Sequence, residues 1–407
     1  MDLLSPSLAF AFRALRHPAF RRYWLGWAIS VLGSWMQTLA QGWLVFRLTN
    51  SPQVLGLLTA LRFGPTLLGL PLAGVLTDYV SRKRLLVMTQ AASIMQASVL
   101  AGLTLSGQVR VWHVLLLALV QGCIDTVDMP SRQSFQAELV PVADLQSAIS
   151  LNSAVFNAGR LVGPALAGLV VAEVGEGWCF ALNAVSFVPF LLAVLAASGS
   201  ASPRPGCLDV RRDLAEGMVF AWNCKPIRRL LTGVFVTAAF GLSYSTLLPA
   251  FAGVVLRSDA RGYGLLLAAS GLGAVVGSLG AATRTSRGWQ VVGRFQLLLG
   301  LALTLLALAG SLWLAAAALV LSGFSIAGQL ATTNGYIQIH SPDHLRARLV
   351  SLYIWVFSGS TPLGGLVAGF LAEQFGLVTA IAAGGGACVA AALSQGGWVR
   401  STGQPER

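Results

Sequence analysis

The chain has 407 residues, is 55% hydrophobic and only 10% charged, and carries 45 glycines. A water-soluble core cannot use that much apolar surface, and several runs reach the roughly 20 residues needed to cross a bilayer. The formal net charge of +12 therefore does not point to nucleic acid; in a membrane protein it reflects basic loops gathered on one face.

Hydropathy places twelve spans in chain order, at about 24–46, 54–77, 85–105, 111–130, 147–172, 177–198, 227–256, 262–283, 290–312, 314–334, 347–372 and 376–397. No cleavable signal precedes them: residues 1–22 hold Arg13, Arg16, Arg21 and Arg22 without a small-residue cleavage site after a short apolar core. The Ser/Pro/Gly-rich stretch opening residues 199–226 divides the chain into a first unit, 1–198, and a second, 227–407. An amphipathic helix over about Leu208–Asn223 is expected in the divide, on the membrane surface. The five cysteines lie far apart with no C-x-x-C spacing and read as reduced and structural.

Twenty-one of the 27 Lys and Arg residues fall on one set of loops and four on the other. The rule that basic loops stay inside then puts both termini and the central loop in the cytoplasm. The two units repeat each other. An offset of 201 pairs Gly122 with Gly323, Pro141 with Pro342, Gly163 with Gly364, Gly168 with Gly369 and Gly175 with Gly376; an offset of 208 pairs Pro18 with Pro226, Gly56 with Gly264 and Gly69 with Gly277. Parallel six-span repeats put a substrate site at their interface near the midplane.

Few charges lie inside the spans. Arg62 on span two and Arg160 on span five fall at similar, near-central depth. Two unpaired cations there would suit an anionic or acidic-headed substrate; the alternative is that each snorkels or pairs privately. Asp125 and Asp128 share a face of span four. Asp125 is the proton-carrying candidate. Asp128 is expected to pair with Arg132, one turn on, as part of an inner gate. Gln37, Gln41, Asn152, Asn157, Tyr244, Gln329 and Asn334 are polar residues on the expected cavity spans. They are candidates for substrate contact, with ties between helices as the other reading. Ile326, Gln329 and Thr361 occupy the second-unit positions of Asp125, Asp128 and Arg160, which concentrates the charge chemistry in the first unit.

Between spans two and three runs Gly74-Val75-Leu76-Thr77-Asp78-Tyr79-Val80-Ser81-Arg82-Lys83-Arg84. Its cations suffice for a topogenic anchor, but an acid at a helix end four residues after a glycine points to a gate latch. Its degenerate copy near 282–292 lacks the acid and the cationic triplet. The latch is expected to hold Asp78 and Arg82 against the second unit, through Arg132 and the start of span eleven. His340 and His344 flank Pro342 in a loop and read as solvated, so no metal site is expected.

The stretch 74–84 resembles the signature loop of the major facilitator superfamily, G-x-x-x-D-x-x-x-R-[KR]-R, with Tyr79 where arginine is usual. Gly159-Arg160-Leu161-Val162-Gly163-Pro164-Ala165-Leu166-Ala167-Gly168 is similar to the fifth-helix motif of its antiporting exporters. Residues 128–135 with 151–157 resemble the branch that includes the enterobactin exporter and related efflux proteins. One departure stands out: Gln121-Gly122 fits the fourth-helix motif R-x-x-Q-G, but Ala118 fills the arginine position.

The resemblance implies an all-α membrane protein of two pseudo-symmetric six-helix bundles, and a monomeric secondary transporter of the bacterial cytoplasmic membrane. It implies export of a small molecule, a siderophore-like metabolite or a drug, by alternating access and proton antiport. Gating would involve Gly74, Asp78, Arg82, Lys83, Arg84, Asp128, Arg132, Gly163 and Pro164. A proton-coupled importer or a non-transporting sensor are the alternatives. No Walker A, H-E-x-x-H or G-x-S-x-G sequence is present, so neither a cofactor nor an enzyme activity is expected.

Overall fold

Inside a bilayer the backbone has only itself to bond, so each long apolar run becomes a helix. The computed structural model describes residues 12–197, 210–282 and 288–394. Its first six long helices are α1 Pro18–Thr49, α2 Pro52–Tyr79, α3 Arg82–Leu105, α4 Val111–Glu138, α5 Leu145–Val174 and α6 Glu176–Ala196. The second six are α7 Lys225–Val255, α8 Ala260–Ala282, α9 Gly288–Ala307, α10 Leu312–His340, α11 Asp343–Phe375 and α12 Leu377–Ser394. We call the side holding the α2–α3 turn the basic face and the side holding Asn50 and Ser51 the opposite face.

The repeat is visible in the helix boundaries. At an offset of 201, α4 and α6 begin where α10 and α12 begin; at 208, α2 begins where α8 does. Gly175 and Gly376, one repeat apart, both adopt left-handed backbone (φ 92° and 89°) at the turns after α5 and α11. That conformation costs a residue with a Cβ.

Two helices depart from expectation. α4 does not stop at Pro130 but runs on to Glu138, with the Ser131 hydroxyl bonding the Val127 carbonyl 2.7 Å away. α7 is not uniform: π-helical turns at Thr237–Gly241 and Phe251–Val255 flank the α-helical Tyr244–Ala250. Pro249 contributes to the irregularity, because it has no N–H for the Ser245 carbonyl. The linker helix, Val210–Asn223, begins within two residues of the expected start. It docks on the second half, where Glu216 pairs with Arg348 and Ala221 packs with Leu345 and Leu349. Val219 and Trp222 remain exposed.

The halves meet along two seams related by the repeat. On one, a Cβ at Gly168 of α5 would lie 2.7 Å from the Ala260 carbonyl oxygen and 3.1 Å from the Gly264 Cα of α8. On the other, a Cβ at Gly369 of α11 would lie 2.7 Å from the Pro52 carbonyl oxygen and 3.1 Å from the Gly56 Cα of α2. Gly168 and Gly369 are one repeat apart, as are Gly56 and Gly264. At the opposite face the Ser51 hydroxyl donates to Glu373 at 2.8 Å, Arg261 pairs with Glu173, and Trp43 stacks on Tyr263. The innermost of these cross-half contacts is the Trp355 indole N–H donating to the Leu67 carbonyl at 3.1 Å.

These seams close the opposite face by main-chain contact, which only glycine permits. Gly369→Val is therefore expected to part α2 from α11 there. Spin labels at Gln53 and Gln374 should report a distance distribution shifted to longer values. An unchanged distribution would show that the seam yields elsewhere.

Candidate functional site

Arg62 lies ten residues into α2, about 15 Å along it, and Asp125 about 21 Å along α4, so both sit near mid-bundle. They form an ion pair. The expectation of two unpaired mid-depth cations is thus corrected at Arg62. The reason is the α2–α4 approach. A Cβ at Gly122 would lie 2.4 Å from the Arg62 carbonyl oxygen, so the bare glycine lets α4 press against the α2 backbone one turn from Asp125. The Gln121 amide donates to the other carboxylate oxygen of Asp125 at 2.8 Å. The Gln121-Gly122 pair of the fourth-helix motif therefore both orients the carboxylate and seats the helix that carries it. Farther along, Thr66 and Thr126 hydroxyls meet at 3.3 Å.

The Asp125 side chain is 42% exposed although it sits midway along its helix. A charged group at mid-bilayer depth is met by a partner or a polar space, and Asp125 has Arg62 as that partner while keeping part of its surface free.

Asp128 is more deeply held. Its Oδ1 accepts from Thr89 at 2.8 Å and Gln90 at 2.7 Å, and its Oδ2 lies 3.4 Å from Arg132 Nε. The Arg132 guanidinium also lies over the Trp27 ring, 5.0 Å from its centroid. This network joins α1, α3 and α4 of the first half. Arg82 pairs with Glu138 at the end of α4, and the Lys83 ammonium donates to the Leu195 and Ala197 carbonyls at 2.8 and 2.7 Å. A cation there complements the C-terminal end of α6. Arg84 contributes its backbone N–H to the Ser81 cap, 3.2 Å away.

The expected latch from Arg82 and Arg132 to the second half is not what these side chains make: both pair within the first half, and at the start of α11 Arg348 pairs with the linker helix. With the seams closed on the opposite face, the loop is fastened to the helix ends beside it. The Asp78 side chain, within 70–78, lies outside the described residues, as do the surroundings of Gly74.

The polar candidates divide. Gln37 donates to Gln96 at 3.2 Å and accepts from Asn183 at 2.8 Å, Gln41 donates to the Val114 carbonyl at 3.3 Å, and both are 5% exposed. They tie helices together instead of lining a cavity, because α1 turns them toward α3, α4 and α6. Asn152 bonds Gln136 on α4, and Asn157 donates to its own helix at the Ser153 carbonyl. Gln329 is fully buried and accepts from the Thr237 hydroxyl at 2.8 Å, inside the second half.

Arg160 and Tyr244, in contrast, come together. Arg160 Nη2 donates to Ser270 Oγ of α8 at 3.4 Å, and Ser270 Oγ is 2.9 Å from the Tyr244 hydroxyl of α7. Pro164 deprives the Arg160 carbonyl of its partner one turn on. That carbonyl instead abuts α8, where a Cβ at Gly271 would lie 2.9 Å from it. Gly163 packs on α1, 2.6 Å from the Trp35 Cβ by the same measure. Ser270 was not singled out by sequence, and a serine inside an apolar span carries no signal that could have found it.

The fold agrees with that of known transporters. The family model described as transmembrane secretion effector matches residues 9–399. The chain belongs to this family of major facilitator transporters. The transporter is 28% identical to the multidrug efflux pump Tap of Mycolicibacterium fortuitum, over 85% of its own length and 87% of that protein's. It is 25% identical to the staphyloferrin A transporter of Staphylococcus aureus, over 85% and 88%. With the enterobactin exporter EntS of Salmonella paratyphi A it shares 26% identity, over 65% and 63%. Among solved structures, a bacterial homologue of the human lysosomal transporter Spinster superposes with a TM-score of 0.72 at 16% identity, over 93% of this chain and 94% of that one, and shares the fold. The transporter is thus a multi-pass membrane protein that moves a small molecule, and not an enzyme.

Breaking a buried ion pair from one side costs about 3–5 kcal/mol, more than the pair's net worth, because the orphaned charge stays behind. Asp128→Ala is expected to lower the melting temperature measured by tryptophan fluorescence, and Asp128→Ala with Arg132→Met to recover part of the loss. Equal melting temperatures for wild type and Asp128→Ala would rule out a structural role for this network.

Proposed function

We propose that the transporter exports an amphipathic small molecule, a siderophore-like metabolite or a drug, from the bacterial cytoplasm in exchange for protons, with both termini on the cytoplasmic side. The single observation that carries the reading is the Arg62–Asp125 pair: a partly exposed carboxylate held mid-bundle, with glycine seams joining the halves toward the opposite face. With the basic face cytoplasmic, the described arrangement is the inward-open member of an alternating-access pair. The relatives named above, a multidrug efflux pump and two siderophore transporters, support the direction and the substrate class.

In this cycle Asp125, ionised, holds Arg62 and fixes α2 against α4. Substrate enters from the cytoplasm, the halves rock, and the seams at Gly56/Gly369 and Gly168/Gly264 part. A proton arriving from outside neutralises Asp125 and releases Arg62, which loosens the α2–α4 seam and favours return. Arg82, Lys83 and Arg84, with Asp78 and Gly74, form the inner rim of the first half. Asp128 and Arg132 brace it, and Gly163 and Pro164 let α5 bend against α1 as the rim moves. Arg160 meets the substrate, with Tyr244 behind it through Ser270.

The test is transport by the purified protein in liposomes, with an imposed pH gradient and a panel of siderophores and drugs. Wild type is expected to move at least one substrate against its gradient only when the pH gradient is present. Asp125→Asn should lose this dependence while still carrying substrate down its gradient. Gradient-independent flux of every substrate by the wild type would remove the antiport, and full coupling in Asp125→Asn would remove the role of that carboxylate.

A further inference from the structure

Mid-depth charge is neutralised within the protein at every described position but one. Arg62 is answered by Asp125, and Asp128 by Arg132. Glu138, Asp144, Glu173, Glu176, Asp259 and Glu373 lie at or near helix ends. Arg160 lies at the middle of α5, about 22 Å from either end, and the partner it meets is a neutral hydroxyl, Ser270, at a long 3.4 Å. A guanidinium carries five N–H donors in a planar fork suited to a carboxylate or phosphate, and one bond to a serine leaves most of that fork open. Arg160 is half-buried, so it is not sealed off on all sides.

The surroundings fix where the fork points. The Arg160 carbonyl, freed by Pro164, abuts α8 at Gly271, and the adjacent Ser270 takes one guanidinium nitrogen. Ser270 is 3% exposed and is itself positioned by the Tyr244 hydroxyl, at 2% exposure. Tyr244 opens the α-helical segment that begins three residues after the π-helical turn Thr237–Gly241, a local break in the regular ladder of α7. Three helices from two halves thus converge on one open cationic fork.

We propose that Arg160, Ser270 and Tyr244 form a seat for the anionic group of the transported molecule, a carboxylate or another singly charged oxyanion, rather than for a cationic drug. This rests on the export reading for its physiological meaning but not for its chemistry. Arg160 supplies the charge and the paired N–H donors; Ser270 and Tyr244 supply a buried hydroxyl pair that orients the guanidinium. The seat is composite: Arg160 belongs to the first half and the hydroxyls to the second. When the α5–α8 seam at Gly168 and Gly264 parts, Arg160 leaves Ser270, the seat comes apart, and the anion is let go toward the opposite face. Ser270 and Tyr244 are thereby positioning residues whose effect falls on anions alone.

The experiment uses the full-length transporter in nanodiscs and three dansyl probes with one alkyl chain and different heads: a carboxylate, an uncharged amide and a trimethylammonium. Binding is read by fluorescence anisotropy. Wild type is expected to prefer the carboxylate over the amide probe by about tenfold or more, the scale of a charge-assisted hydrogen bond. Arg160→Gln should collapse that preference to near one. Arg160→Lys should retain part of it, since the charge remains and the fork is lost. Ser270→Ala, a small change that keeps the fold testable should Arg160→Gln fail to assemble, should lower the preference several-fold. A carboxylate preference that survives both Arg160→Gln and Ser270→Ala would overturn the proposal, as would a wild-type preference for the trimethylammonium probe. The same probes in liposomes separate the two readings. Loss of preference on Arg160→Gln without export of any probe would leave the seat standing and remove the export reading. Export of all probes at rates indifferent to head charge and to Arg160→Gln would do the reverse.

Discussion

A charge in the middle of a bilayer has to be answered, and the Arg62–Asp125 pair is where this molecule answers it most consequentially. On insertion scales an unanswered side chain of this kind costs roughly 2.5–3.5 kcal/mol. The pair joins α2, which packs across to α11, with α4, which packs against α2 and α3 of its own half. It therefore sits where the internal packing of one half meets the moving contact with the other. Gln121 and Gly122 exist in their places to serve it, one by hydrogen bond and the other by having no side chain.

The other charges fall into order around it. Asp128 and Arg132 are spent on α1, α3 and α4, and Arg82 and Lys83 on the ends of α4 and α6. The first half is consequently knit by ion pairs and charged hydrogen bonds. The second half uses buried neutral groups such as Thr237, Gln329 and Ser270 at comparable depth. The repeat conserves backbone geometry and leaves the chemistry unequal.

Much of this was legible in the residues. The twelve spans, the offsets of 201 and 208 and the paired turn glycines depend on periodicity and on glycine, which act locally and leave a mark in the chain. The i, i+4 pairing of Asp128 with Arg132 also follows from helical spacing alone. Arg62 with Asp125 did not, because depth can be counted along a span but the direction in which a side chain faces depends on helix packing. The same limit leaves the two readings of Gln37 and Gln41 open in the sequence; helix packing turns both toward neighbouring helices of their own half. The π-turns of α7 escaped notice because a single inserted backbone residue barely disturbs hydropathy.

The seams at Gly56/Gly369 and Gly168/Gly264 carry a thermodynamic consequence of their own. A surface of glycine against backbone has no rotamers to freeze when it closes and none to release when it opens. Conformational entropy thus contributes little to either direction of the movement at that point. What remains is short-range dispersion between main-chain atoms, which loses about a quarter to a half of its strength over a gap of about 0.5–1 Å. A contact of that kind weakens steeply once it begins to part, and two of them related by the repeat sharpen the outer closure together.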